Sequence, residues 1–364
     1  MKGLSRFGRF LWEGASSTSP APSLSEAVRA TVHQGKPAQF TFATVVTESD
    51  DVLAALVRPG EEAETRRWGH VGVLAIESES GSYVAGVWPA RHDGVFHLVG
   101  VVPVTSKKWS SLERRVARSA PVIVPVILNQ ADFDGIVESL AGSGRVEVSR
   151  LNFTRITDGA NWQVTHPHGL GPRPSYEAAV SEITDPVFMR TAALHIDDRL
   201  HLHLRRQAGA TYYSGDFELF EERVLGGLAD AASRRMRLLA DRQRNVSEPA
   251  ELNPVTVRLS SGLLKGSADN QFVVNALLKQ PSMGVAVFHG NPYLHIAVTD
   301  YLDGSNFDAF VTTDDEVIVY PGFRSSLGSL TRLTDFLSEH LGGVEVAAGA
   351  EEQLIPTEAF LTSG

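Results

Sequence analysis

The side chains best suited to chemistry are three histidines, His195, His201 and His203, within the stretch TAALHIDDRLHLHLRR at residues 191–206. Polar and apolar residues alternate on both sides of a short acidic break at residues 197–199, and this alternation predicts two half-buried strands. If the break forms a hairpin loop, His195 lies opposite His201, and His203 follows two residues along the same face. The sequence therefore predicts a hairpin that gathers three imidazoles on one surface.

Three imidazoles from two paired strands are a candidate zinc site, because zinc takes neutral histidine nitrogens in a tetrahedral arrangement. A water molecule in the fourth position would become a nucleophile near neutral pH. The carboxylates that could orient these ligands are Asp197, Asp198 and Asp216. Arg199 and Arg205 flank the set, however, and their positive charge opposes cation binding. This interpretation predicts a metal-dependent hydrolase that uses His195, His201 and His203.

The same face can also be interpreted as an anion-binding surface, because arginines and partly protonated histidines bind phosphate groups. Tyr212 and Tyr213 could stack on bases beside it. This hypothesis predicts a nucleic-acid-binding component of a complex, with a surface made of Arg199, Arg205, Arg206, Arg234, Arg235 and Arg237.

The first residues form a second candidate binding element. On a helical wheel the apolar side chains of Leu4, Phe7 and Leu11 share one stripe, and Trp12 lies beside it. A Ser/Pro-rich stretch follows and is typical of a flexible linker. The pattern predicts a tethered amphipathic helix that docks on a protein partner or on an anionic membrane surface. The other interpretation, which the short length of an isolated helix favours, is that the segment folds back on its own domain or is disordered.

The alternation of polar and apolar residues along the rest of the chain predicts the fold that positions these residues. We expect the α+β class, with several domains, mostly antiparallel sheets and covering helices. Short β-branched runs separated by turn residues favour meanders. Residues 216–244 carry apolar positions at helical spacing and predict the longest helix. The predicted boundaries are 1–23 for the amphipathic tail and linker, 24–157 for an α+β domain, 158–174 for a connection, 175–250 for the hairpin with the long helix, 251–346 for an α+β meander domain, and 347–364 for a tail.

Composition narrows the class of protein. The 364 residues are 43% hydrophobic and 21% charged, with a formal net charge of −10, which is typical of a globular chain and argues against a general nucleic-acid coat. The chain has no cysteine, which excludes disulfides, thiolate metal sites and cysteine nucleophiles. We find no apolar run of roughly 18 residues and no convincing secretory signal, and we therefore expect a cytoplasmic protein.

The chain contains no G-x-S-x-G, H-E-x-x-H or G-x-G-x-x-G motif. No cofactor is indicated, and the pattern leaves the oligomeric state open. We therefore expect a non-enzymatic binding or assembly protein that acts in a multi-protein complex through its N-terminal helix and its charged central surface. The hydrolase and the nucleic-acid-binding component are the alternatives.

Overall fold

The computed structural model describes residues 4–32, 39–49, 51–57, 63–77, 81–155, 161–165, 173–183, 187–207, 209–242, 253–260, 264 and 267–349. The chain separates into two compact units, an N-terminal unit at Met1–Met236 and a C-terminal unit at Arg237–Gly364. Each unit combines an antiparallel sheet with helices. The predicted α+β class, with more than one unit, is therefore confirmed.

The N-terminal unit is built on an eleven-stranded sheet. Ten strands follow the order β2-β3-β4-β5-β1-β11-β10-β9-β7-β8, and the short β6 pairs with β1 beside this path. The strands are β1 (Phe40–Thr47), β2 (Ala63–Trp68), β3 (Val71–Ile76), β4 (Tyr83–Pro89), β5 (Val95–Gly100), β6 (Ile123–Pro125), β7 (Val146–Arg155), β8 (Asn161–Thr165), β9 (Val187–Ile196), β10 (Leu200–Arg205) and β11 (Gly209–Gly215).

Helices cover the two faces of this sheet unequally. One face carries the larger apolar cluster, which includes residues of α1, α2, α5, α6 and the π-helical turn. The other face carries a smaller cluster under α3 and α4 that contains no described residue of β9, β10 or β11. The helices are α1 (Arg6–Gly14), α2 (Leu24–Thr31), α3 (Val52–Leu56), α4 (Lys107–Arg118), α5 (Gln130–Ala141), α6 (Tyr176–Ser181), α7 (Phe217–Leu219), the π-helical turn (Phe220–Leu225) and α8 (Gly226–Leu239).

The predicted histidine hairpin is present in the expected register. Ile196 pairs with Leu200, and His195 pairs with His201. Asp197 has a φ of 46° and begins the tight loop, a backbone conformation that aspartate tolerates better than most residues. The leucines of β10 are buried in the larger cluster, so the histidines lie on the opposite face of the sheet.

The N-terminal helix packs into its own unit. Phe7 is 1% exposed, and Leu11 is fully buried. The Phe7 ring lies against Phe40 and Trp88, with centroid distances of 5.3 Å and 6.0 Å. Leu4 and Trp12 are partly buried against the same cluster. The partner-docking interpretation of this stripe is therefore corrected, because the stripe is buried within the N-terminal unit.

The expected flexible linker after α1 makes specific bonds to the same unit. The Trp68 indole Nε1 donates to the Ser19 carbonyl at 2.8 Å. The Ser23 side chain accepts from the backbone N–H of Glu26, and the Glu26 carboxylate accepts from the Ser23 backbone N–H, which completes a capping box for α2. Residues 1–23 thus include an integral part of the N-terminal unit.

Two other predicted boundaries differ from the observed elements. The segments 24–157 and 175–250 contribute strands to one sheet, because β1 pairs with β11 from Phe40↔Tyr212 to Ala43↔Gly209. The predicted connection 158–174 contains β8, which pairs with β7; residues 158–160 and 166–172 lie outside the described part.

The C-terminal unit has a six-stranded antiparallel sheet in the order β13-β14-β15-β16-β12-β17. Its strands are β12 (Val255–Leu259), β13 (Met283–His289), β14 (Leu294–Asp300), β15 (Asn306–Val311), β16 (Glu316–Pro321) and β17 (Gly343–Ala348), and its helices are α9 (Ser267–Leu277) and α10 (Leu327–Leu341). Residues 350–364 of the predicted tail lie outside the described part.

Candidate functional site

The histidine face forms a row of stacked rings across three strands. The His195 and His201 rings lie 4.1 Å apart at an interplanar angle of 13°. The Tyr213 ring continues the row, 4.7 Å from His201 at 25°. The row arises because His195 and His201 are directly paired, and a bulge between His201 and Leu202 shifts the register with β11. We call these three residues the ring row.

The ring row does not gather metal ligands. An imidazole nitrogen binds a metal in the plane of its ring, and two nearly parallel, stacked rings direct their nitrogens along parallel planes rather than at one ion. Within the described residues, no group of three His, Asp or Glu side chains has the geometry of a metal site. Asp216 caps α7, accepting from the Leu219 N–H at 3.0 Å. The three-histidine zinc interpretation is therefore corrected by the ring geometry.

Burial lowers the pKa of two histidines of this face, His203 and His201. It lowers the pKa of His203 to about 4, and the charges of Arg205 and Arg150 act in the same direction. It also lowers the pKa of His201, with Arg173 adding to the effect. The Nε2 atom of His203 is buried and has no hydrogen-bond partner among the described residues. These two imidazoles therefore do not contribute the positive charge that the anion-binding interpretation requires.

Arg205 is held between strands rather than presented to a ligand. Its Nη1 donates to the Thr211 hydroxyl and its Nη2 to the Phe42 carbonyl, both at 2.8 Å. Burial lowers its pKa to about 10, and the Glu113 carboxylate of α4 opposes that shift. The guanidinium stays charged at pH 7 and ties β10 to β11 and β1.

The other predicted arginines are not all presented to solvent. Arg206 follows Arg205, is 4% exposed and lies over the Phe188 ring. Arg199 is bonded to Ser143 and Asp216. The α8 arginines differ from one another. Arg234 pairs with Asp132 at 2.9 Å, Arg235 is 4% exposed, and Arg237 is exposed. Arg205, Arg206 and Arg235 are thus engaged within the protein, whereas Arg199, Arg234 and Arg237 are exposed.

The two tyrosines of the predicted base-stacking site are also engaged. Tyr212 is buried, and its hydroxyl donates to the Gly215 carbonyl at 2.6 Å. The Tyr213 ring lies against His201 in the ring row. A base could therefore not stack on Tyr212 without unpacking the sheet.

A different surface emerges in the C-terminal unit. Among the described residues of this unit, six large apolar side chains are at least 49% exposed: Leu278, Val287, Phe288, Tyr301, Leu302 and Phe323. Val287 and Phe288 belong to β13, whereas the other four lie in segments at one end of the six-stranded sheet: the end of α9, the β14–β15 turn and the loop before α10. We call these four residues the apolar end. Large apolar residues that share an exposed surface are typical of interaction sites.

Hydrogen bonds hold the segments of the apolar end together. The Tyr301 N–H donates to the Ser282 carbonyl at 2.8 Å, and the Asn306 N–H donates to the Arg324 carbonyl at 2.7 Å. Beneath them, Arg332 of α10 pairs with the fully buried Asp300 and donates to the Ser282 hydroxyl. The exposed side chains therefore project from a backbone that is fixed on several sides.

Sequence reasoning missed the apolar end, although one signal was present. Tyr301 and Leu302 stand directly before the turn pair Asp303-Gly304, where polar residues are usual. Phe323 occupies a similar position after Gly322. Apolar residues inside turn segments, rather than within periodic elements, were the available signal.

Comparison with known proteins finds no match for the chain, either among protein-family models or among curated proteins. In the described part of the chain, every helix is too short or too polar to cross a membrane.

Proposed function

We propose that this chain is a non-enzymatic binding protein that acts within a multi-protein assembly, and that its protein partner docks on the apolar end. The observation that carries the proposal is the exposure of Leu278, Tyr301, Leu302 and Phe323 on one end of the C-terminal unit. Aromatic side chains are enriched at the energetically dominant positions of interfaces, and Tyr301 and Phe323 supply two of them.

The rigidity of the apolar end supports the same proposal. Association orders mobile side chains and loops at a free-energy cost, and a surface that is already fixed avoids part of it. The buried Arg332–Asp300 pair and the backbone bonds of Tyr301 and Asn306 provide this fixation. The end is therefore suited to contact a partner without rearrangement.

The charges beside the apolar end indicate what the partner presents. Lys279 follows Leu278, Arg324 follows Phe323, and both are exposed. Asp303 is also exposed, but its carboxylate accepts bonds from the hydroxyls of Ser326 and Ser329. A partner with acidic side chains next to apolar ones complements this pattern.

Site-specific photo-crosslinking in the native cells tests the proposal. A benzophenone amino acid replaces Tyr301 in one variant and Val122 in another; Val122 is an N-terminal-unit residue that is 49% exposed. We expect adducts with a different protein at position 301 and few at position 122. Equal labelling at both positions, or adducts at 301 only with a second copy of this chain, would overturn it.

A further inference from the structure

The N-terminal unit contains a cleft of about 330 Å³ that belongs neither to the ring row nor to the predicted arginine surface. Its apolar wall includes Leu24, Trp88, Leu225 and Ala229, all of them buried. Polar side chains from β5, from the segment after β4 and from the π-helical turn complete the lining. The volume lies at the lower end of the range of small-molecule pockets.

A buried imidazole lines this cleft with one nitrogen available. His97 of β5 is 6% exposed, and its Nδ1 is 3.0 Å from the Thr44 hydroxyl on the neighbouring strand. Its Nε2 has no hydrogen-bond partner among the described residues. Burial lowers the pKa of His97 to about 4, so the ring is neutral at pH 7. Because His97 lines the cleft, this nitrogen can bond to a polar group of a ligand that occupies it.

Two carboxylates at the rim come from a π-helical turn, in which the helix is locally wider and underwound. Glu221 and Glu222 both lie in the turn Phe220–Leu225 and line the cleft. Such turns are rare and occur frequently at functional sites. Glu221 accepts a hydrogen bond from the Ser25 hydroxyl, which fixes one side of its carboxylate, and Glu222 lies 3.4 Å from Arg223.

The arginine on the opposite rim does not cancel this charge. Arg91 donates through Nε to Asp230 at 2.9 Å and through Nη2 to the same carboxylate and to the Gly226 carbonyl. Its positive charge is therefore matched by Asp230, a residue outside the cleft lining. The remaining titratable residue of the lining is the exposed His70. By the same reasoning Arg223 matches the charge of Glu222, which leaves the Glu221 carboxylate as the rim charge that a cationic ligand group would pair with.

We propose that this cleft binds a small organic amine, whose ammonium group pairs with Glu221 and whose second polar group bonds to His97 Nε2. The apolar wall between the rim and the imidazole accommodates a compact hydrophobic body. The ammonium, the hydrophobic body and the second polar group of the ligand thus each have a counterpart, in the Glu221 carboxylate, the apolar wall and the His97 Nε2 atom.

Tyramine is a suitable probe because it joins an ammonium to a phenol hydroxyl through an apolar ring. Phenethylamine lacks the hydroxyl, and 4-hydroxyphenylacetate replaces the ammonium with a carboxylate. Binding to the full chain is followed by quenching of tryptophan fluorescence and by the imidazole nitrogen resonances of His97. We expect saturable binding of tyramine, weaker binding of phenethylamine, no binding of the acid, and a shift of the Nε2 resonance with tyramine alone.

Charge-removing variants test the rim. The double variant Glu221→Gln, Glu222→Gln is expected to weaken tyramine binding by about tenfold or more. Glu218→Gln is the matched control, because Glu218 is an exposed glutamate outside the cleft that pairs with Arg29; it is expected to leave the affinity unchanged. Equal binding of the acid and the amine, no saturable response to tyramine, or a double variant with wild-type affinity would each overturn the proposal.

Discussion

The ring row of the N-terminal unit and the apolar end of the C-terminal unit are both accessible to solvent, but their side chains are in different chemical situations. In the ring row each aromatic group stacks on the next, and Arg205 beside it is bonded to Thr211 and Phe42. In the apolar end Tyr301 and Leu302 are 67% and 49% exposed.

Residues that stand out in the sequence, such as the histidines of the ring row, do not by themselves mark a surface that is free to bind a ligand. A ligand gains free energy by satisfying groups that are exposed or unpaired, and it gains little from groups that already contact one another. By this criterion the ring row stabilises the sheet, whereas the apolar end is suited to an interface.

The largest expected effect concerns the N-terminal helix, whose apolar stripe is buried in the first unit. Phe7→Ala removes a ring that is 1% exposed and is expected to lower the free energy of unfolding by about 3–5 kcal/mol. Urea unfolding followed by tryptophan fluorescence measures this, because all five tryptophans lie in the N-terminal unit.

Arg9→Ala is the matched control for Phe7→Ala, because Arg9 is an exposed residue of the same helix. It should change the free energy of unfolding by less than about 0.5 kcal/mol. If Phe7→Ala had the same free energy of unfolding as the wild-type chain, the N-terminal helix would not be part of the core.

The second effect is a pH dependence to which His97 and His203 both contribute, because burial lowers the pKa of each to about 4. The pKa of His97 is about 4 in the native state and 6.5 in the unfolded chain, so the unfolded state takes up a proton first as the pH falls. The contribution to stability is fully present above pH 6.5 and is lost between pH 6.5 and 4, by about 3 kcal/mol in all.

His97→Gln removes this titration and should flatten the decline of stability over the same interval. The measurement is the urea midpoint of both proteins at several pH values between 7.5 and 4, with the pH interval taken from the His97 shift. Parallel curves for the two proteins would exclude His97 as the source.

A smaller effect is expected in the ring row. His201→Ala removes the middle ring and should cost about 1 kcal/mol, the usual range for a stacked pair, without affecting partner binding. His70→Ala, at an exposed position, is the control and should change stability by less than about 0.5 kcal/mol. Loss of partner binding in His201→Ala alone would move the functional site to the ring row.

Local patterns predicted the elements well. Strict alternation around residues 191–206 gave the hairpin and the His195–His201 pairing, because side-chain period and loop length together set the register.

Long-range packing could not be predicted from the same patterns. The amphipathic stripe of α1 specifies a buried face but does not specify what covers it, and Phe40 and Trp88 are distant in sequence. The β1–β11 pairing that joins two predicted domains is likewise non-local. The cleft at His97 could not be predicted either, because its lining comes from α2, β4, β5 and the π-helical turn, which are distant in sequence.

Two matched substitutions, compared in their binding to the partner recovered by crosslinking at position 301, test whether the apolar end is the docking site. Leu302→Asp and Val122→Asp each place a carboxylate at a position that is 49% exposed, one in each unit. We expect both variants to keep wild-type stability within about 0.5 kcal/mol. Isothermal titration calorimetry should show an affinity about tenfold weaker or more for Leu302→Asp and an unchanged affinity for Val122→Asp. Equal affinities for Leu302→Asp and the wild-type chain would contradict the account.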